Sequence, residues 1–251
     1  MGVVTGTDPS GSHGAMRTVS VVAAIGEALA PHGLIARGGF HPAPEDGVPA
    51  LPGGTAAATV VMVGNAGPEM WRHFCATPEY ADGAPDPLDR WTRRVLTAMA
   101  DEFGARPVFP SEGPPYPPMQ RWAMRAEPVH ASPLGLLIHP DYGLWHAYRG
   151  ALVFADILEL PPRIDRPSPC DSCVDRPCLG SCPVNAFRPG RYDVPACARH
   201  IDTRAGADCM ELGCRARRAC PAGRPYVYLP AQAEFHMLPF RRNALARLES
   251  Q

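Results

Sequence analysis

Apolar positions change their period several times along these 251 residues, and each change marks a different element. From Arg17 to about His32, Val21, Ile25 and Leu29 recur at helical spacing, which predicts an amphipathic helix. GLIARGGF (33–40) reads as a strand and the following HPAPEDGVPALPGG as a loop. TAAATVVMVGNAG (55–67) carries an unbroken apolar run, the mark of a strand covered on both faces. A helix is predicted from near Pro68, and DPLDRWTRRVLTAMADEF (86–103) is a clear amphipathic one with Asp86 as its cap. ARPVFP (105–110) is short and strand-like, and LLIHPDYGLWHAYRGALVF (136–154) reads as two strands around a glycine bend. PPRIDRPSP (161–169) breaks all regular structure, and EFHMLPFRRNALARLES (234–250) ends the chain in a helix. The small, polar, aperiodic residues 1–16 read as a disordered leader. The resulting division is leader 1–16, a sheet-containing domain 17–162, a cysteine-rich domain 163–230 and a helical tail 231–251.

Composition narrows the chemistry. The 31 Pro and 24 Gly imply many turns, and no apolar run reaches the roughly 18 residues of a membrane span. Nine cysteines without an export signal point to a reducing, cytoplasmic compartment, where metal ligation is favoured over disulfides. All 24 basic residues are Arg, so lysine Schiff-base chemistry and lysine-bearing phosphate loops are excluded. Residues 1–162 carry 10 Arg against 16 acids, whereas residues 163–251 carry 14 Arg against 9. That excess either offsets buried anionic groups or forms a docking face for an acidic partner. No nucleic-acid partner is expected, because the net charge is −1 and the arginines interleave with cysteines instead of forming a run.

Eight of the nine cysteines lie in the second half, and Cys75 alone reads as a buried apolar thiol. Their spacing is C-x2-C-x4-C-x3-CP, from Cys170, Cys173 and Cys178 to Cys182, then C-x11-C-x4-C-x5-CP, from Cys197, Cys209 and Cys214 to Cys220. Eight ligands suit two [4Fe–4S] clusters. In two-cluster ferredoxins the cysteine before proline in each run binds the other run's cluster. That logic assigns Cys170, Cys173, Cys178 and Cys220 to one cluster, and Cys182, Cys197, Cys209 and Cys214 to the other. Structural zinc is the rival, since four-cysteine sites suit it too.

The order of these cysteines resembles the C-terminal iron–sulfur module of epoxyqueuosine reductase and of the corrinoid-dependent reductive dehalogenases. HPDYGLWHAYRGALVF, with ELPPR (159–163) after it, resembles a strand pair of the CblC-type cobalamin-processing proteins. Together these resemblances imply an α+β, nitroreductase-like fold, an antiparallel or mixed sheet with flanking helices, joined to a small ferredoxin-like iron–sulfur domain. They imply cobalamin as a further cofactor, with Tyr142, Trp145 and Arg149 near the corrinoid and an anionic substrate. The D-x-H-x-x-G signature of His-ligating cobalamin domains is absent, which suits the CblC type. His139, before Pro140, reads as a strand terminator. The catalytic aspartate of epoxyqueuosine reductase has no assignable counterpart here.

Three functions follow. The leading one is an iron–sulfur oxidoreductase that takes electrons from a flavodoxin, ferredoxin or reductase and passes them to a corrinoid. The others are a ferredoxin-like carrier without its own substrate and a zinc-binding interaction protein.

Overall fold

The computed structural model describes residues 20–188 and 190–250, so the expected leader and the first turn expected from Arg17 lie outside the described residues. Helix α1 (Val21–Leu29) starts at Ser20, whose Oγ accepts a hydrogen bond from the Ala23 N–H at 3.2 Å. Strand β1 (Ile35–Phe40) follows, then the long strand β2 (Thr59–Ala66), whose residues 59–65 are all buried. Helices α2 (Glu69–Phe74), α3 (Pro78–Ala81) and α4 (Pro87–Phe103) lead to strand β3 (Arg106–Val108). Asp86 sits at the start of α4 but differs from the expected cap. Its backbone is left-handed (φ 50°) and its side chain makes no capping bond; Pro87, its own φ fixed by the ring, opens the helix instead.

Helix α5 (Met119–Ala126) precedes the short ribbon β4 (His130–Ala131) and β5 (Leu137–Ile138), and strand β6 (His146–Phe154) completes the main sheet. That sheet has the order β1-β2-β6-β3 and every pairing is antiparallel. Both faces of β2 are covered, which explains its unbroken apolar run. Val61 and Val63 pack with Leu152 under α1, α2 and α4, while Val60 and Met62 pack with Val153 under α5. Trp122 of α5 is fully buried there, and its Nε1–H donates to the Asp46 carbonyl at 2.8 Å.

Residues 161–168 have no regular structure. Beyond them the chain forms short elements: α6 (Pro177–Gly180), the ribbon β7 (Phe187–Arg188) and β8 (Arg191–Tyr192), then α7 (Val194–Ile201), α8 (Ala207–Glu211) and α9 (Arg215–Ala219). The last helix, α10 (Pro230–Glu249), starts earlier than the pattern suggests, with Pro230 in its first turn, and continues through Pro239. It packs along α7 and α8, and its Phe235 reaches the Trp71 and Phe74 rings at 5.0 and 5.5 Å. The architecture is α+β, as the sequence implies. Among the described residues, no helix is long and apolar enough to cross a membrane.

Backbone meets backbone where the cysteine-rich part joins the sheet. Gly143, at φ 56°, forms the bend between β5 and β6, and a Cβ there would stand 2.2 Å from the Ala222 carbonyl oxygen. Gly223, at φ 72°, faces it, and a Cβ there would stand 2.2 Å from the Tyr142 oxygen. Beside this contact Arg217 reaches across, donating from Nε and Nη2 to the Leu144 carbonyl at 3.0 and 2.6 Å.

Candidate metal centres

Two helices of one turn each decide where the cysteines go. Cys178 lies in α6 and Cys182 just past its end, while Cys214 and Cys220 flank α9. The two helices pack together. Each turns the chain between its cysteines, so that one faces one cavity and the second faces another. Cys170, Cys173, Cys178 and Cys220 line a first, small cavity, walled largely by prolines and Ile138. Cys182, Cys197, Cys209 and Cys214 line a second, larger one of about 320 Å³. The grouping is the one that crossed ligation requires: Cys220 stands with the first run and Cys182 with the second. Among the described residues no three or more His, Cys, Asp or Glu side chains are arranged to hold a single metal ion.

The sulfurs of the two sets have different neighbours. In the second cavity Cys182 Sγ accepts from the Ala186 N–H at 3.3 Å, Tyr192 hydrogen-bonds Cys197, and Cys214 accepts from the Ala216 and Arg217 backbone. In the first, the bond to Cys170 comes from Ser168. Burial pushes the Cys197 thiol up to about 11, against the opposing pull of Tyr192. Burial likewise raises Cys170, Cys178 and Cys214. Such thiols are protonated at neutral pH without a cation, so a bound metal centre has to displace their protons.

Seven buried side-chain polar atoms among the described residues lack a hydrogen-bond partner. Three of them, Trp145 Nε1, His200 Nε2 and His236 Nε2, belong to residues that line the second cavity. A buried donor left unbonded costs about 1–3 kcal/mol; the Trp145 N–H is such a donor, and the two histidine nitrogens are donors in their Nε2–H tautomers. Sulfur atoms of a cluster are acceptors for them, and the second cavity fits that group. Arg217 lines the same cavity, its guanidinium held 4.5 Å from both the Trp145 and Tyr228 rings and bonded to a carbonyl instead of a carboxylate.

An open cleft of about 330 Å³ adjoins this wall. Arg149, Tyr148, His146 and Tyr228 line it, and Arg217 and His236 face both spaces. Arg149 donates from Nε to Asn65 Oδ1 at 3.0 Å and, among the described residues, pairs with no carboxylate; burial lowers its pKa. Burial, then Arg149 and Arg217, push His236 down to about 3. Of the three residues that the resemblance assigns to a corrinoid, only Arg149 is in the cleft wall. Trp145, 2% exposed, stands behind it in the second cavity. Tyr142 is elsewhere: its ring stacks on His139 at 4.3 Å and meets Tyr226 at 4.8 Å. A broad flat ligand is therefore met by one of the three.

Tyr142 belongs to a polar network that the sequence did not announce. Arg37, 2% exposed in β1, pairs with Glu127 at 2.5 Å, and Tyr148 donates to the same carboxylate. His146 Nδ1 lies 3.3 Å from Arg37 Nη2. His139 does more than end a strand, since its Nδ1 accepts from the Asp141 N–H at 3.0 Å and so shapes the bend. Burial, then Arg37, push His139 down to about 4 and His146 to about 3.

No family model and no curated protein matches the chain. Among solved structures it is similar to epoxyqueuosine reductase from Streptococcus thermophilus, at 16% identity over 85% of this chain and 70% of that one, with a TM-score of 0.47. It is also similar to a selenomethionine-labelled epoxyqueuosine reductase, at 15% identity over 71% and 52%, with a TM-score of 0.45. A third is epoxyqueuosine reductase from Bacillus subtilis, at 16% over 69% and 50%, with a TM-score of 0.44. The chain spans about half the length of the last two. At these scores the likeness adds no residue, ligand or activity to the site.

Proposed function

We propose that this chain is an iron–sulfur redox protein that holds two [4Fe–4S] clusters and delivers electrons to an acceptor in the cleft beside Arg149. The first cluster is held by Cys170, Cys173, Cys178 and Cys220, the second by Cys182, Cys197, Cys209 and Cys214. One observation carries the reading: eight cysteines line two cavities in sets of four, with the two CP cysteines exchanged between runs. Four thiols at each site would also suit zinc, and the exchange of the two CP cysteines between the runs is what favours the two-cluster pattern. Bound there, the clusters supply one-electron chemistry. The chain's own part is to hold them apart, exclude water and present the cleft. A flavodoxin, a ferredoxin or a reductase fits the role of donor.

A corrinoid is the acceptor that the motif resemblance implies, and Arg149 is the residue of the three positioned to meet it. Trp145 and Tyr142 are occupied elsewhere, so neither is free to meet a corrinoid in the cleft.

The test is metal analysis of anaerobically purified protein. The expected content is about eight iron and eight sulfide per chain, with a brown colour. Stoichiometric zinc in protein made with ample iron would reject the reading. Cys220→Ser is expected to damage the cluster of Cys170, Cys173 and Cys178 in electron paramagnetic resonance spectra, and Cys214→Ser the other one. Titration with cobalamin tests the acceptor: Arg149→Ala should weaken binding by about 1.5–3 kcal/mol where its hydrogen bonds are to charged groups. No binding to cluster-replete protein leaves an electron carrier.

A further inference from the structure

We propose that Trp145, His200, His236 and Arg217 form a collar of N–H donors around the second cysteine cavity, which holds the cluster there at a higher reduction potential than the first and makes it the outlet toward the cleft. The inference rests on the two-cluster reading and goes beyond it, to the order in which the clusters fill.

Hydrogen bonds to the sulfurs and nearby positive charge both favour the reduced, more negative state of a cluster. The second cavity has both. Its three ring nitrogens without partners include the indole N–H of Trp145, which can only donate. In the two histidines the collar needs the neutral tautomer with its proton on Nε2, the unpartnered atom. Arg217 adds a full charge with no carboxylate against it, and no Asp or Glu lines the cavity. Protein donors already reach Cys182, Cys197 and Cys214.

The first cavity has fewer donors: Cys170 is bonded by Ser168, and Cys178 by a backbone group. Pro133, Pro169, Pro177 and Pro221 in its wall have no N–H to give. Arg176 is the cation there, and Asp171 lies close enough to act on Cys170. Each set contains one buried cysteine, Cys220 or Cys209, and three half-buried ones. The loop around Cys173 is nonetheless open to solvent, so the collar has to outweigh an exposure that by itself raises the first set's potential. The donor sets differ, and they differ in one direction.

Position agrees with potential. Arg217 and His236 face the second cavity on one side and the cleft on the other. Val174, 92% exposed, lies in the loop that carries Cys173, so the first cavity is the one close to an external donor. One electron given up by a low-potential one-electron donor protein is gained at the first set, then lost there and gained at the second.

The experiment is a potentiometric titration of the anaerobic full-length protein, followed by electron paramagnetic resonance, with the two signals assigned by Cys173→Ser and Cys209→Ser. The cluster of the second set is expected to be reduced first. Arg217→Gln should lower that step alone, by about tenfold in the equilibrium between clusters, about 59 mV for one electron. Arg217→Lys, which keeps the charge, should restore most of it, and Trp145→Phe should lower it by removing an N–H without touching the guanidinium. Should Arg217→Gln lose iron by loosening the Leu144 contact, Trp145→Phe decides. Reduction of the first set before the second, or equal movement of both steps, overturns the collar while leaving eight iron per chain intact. Fewer than eight iron in the parent protein overturns the two-cluster reading and the collar with it.

Discussion

The sheet and the cysteine module are stabilised by different means. Around the sheet, side chains such as Ile25, Phe74, Trp91 and Trp122 bury apolar surface in two continuous cores. In the module the cores are small, and cysteines make up much of them. Cys170, Cys178, Cys214 and Cys220 pack with Leu134, Ile138 and Leu144, while Cys197 and Cys209 pack with Ile201 and Met210. The first region can order itself by excluding water. The second has less apolar surface for that, and on the proposed function its clusters would supply the difference.

The largest effect that tests this contrast is removal of the metal. Chelation under oxidising conditions should abolish hydrogen-exchange protection across residues 170–220 and leave it in β2 and β6. Simultaneous loss from both regions would break the contrast. Next comes the reverse experiment, Trp122→Ala, which empties the core under α5 and should cost about 3–5 kcal/mol in urea unfolding. Iron content per folded chain should not change.

A smaller effect is expected from pH. His139 and His146 have folded values of about 4 and about 3, below their ordinary 6.5. Between those limits the unfolded chain binds more protons, so stability rises with pH through this window and is fully present above about 6.5. Tryptophan fluorescence should record a progressive loss of stability as the pH falls from 6.5 to 4, to which His236, held at about 3, also contributes, and His146→Gln should flatten the curve. The smallest effect is that of Cys75→Ser. This half-buried thiol packs beside the sheet core, so the change should cost about 1 kcal/mol and no iron.

Much of the sheet was legible because its signals are local. The apolar run of β2, the helical period of α4 and the bend in residues 136–154 each need only neighbouring residues to be read. The proposed partition of the eight thiols rests on the two CP cysteines, a pattern that is itself visible in the sequence. The collar was not. Trp145, His200, Arg217 and His236 come from four segments that meet only after folding, and an unpartnered ring nitrogen has no sequence signature. Arg37 was hidden for the same reason, because an arginine in a strand gives no sign that Glu127 waits across the core. Pro239 lies inside α10, on its exposed side.

The paired glycines at the seam have a consequence for variation. Since a Cβ at Gly143 or Gly223 would stand 2.2 Å from the opposing backbone, neither position has room for even the smallest side chain. Alanine at either place is a wedge one methyl thick, driven in beside the Leu144 carbonyl that Arg217 holds. Elsewhere a surface seam can drift by small compensating changes in its side chains. Here there are none to trade, and the spacing between the two halves of the molecule is gauged by bare main chain. It is a fixed tolerance, and each half must be machined to the other.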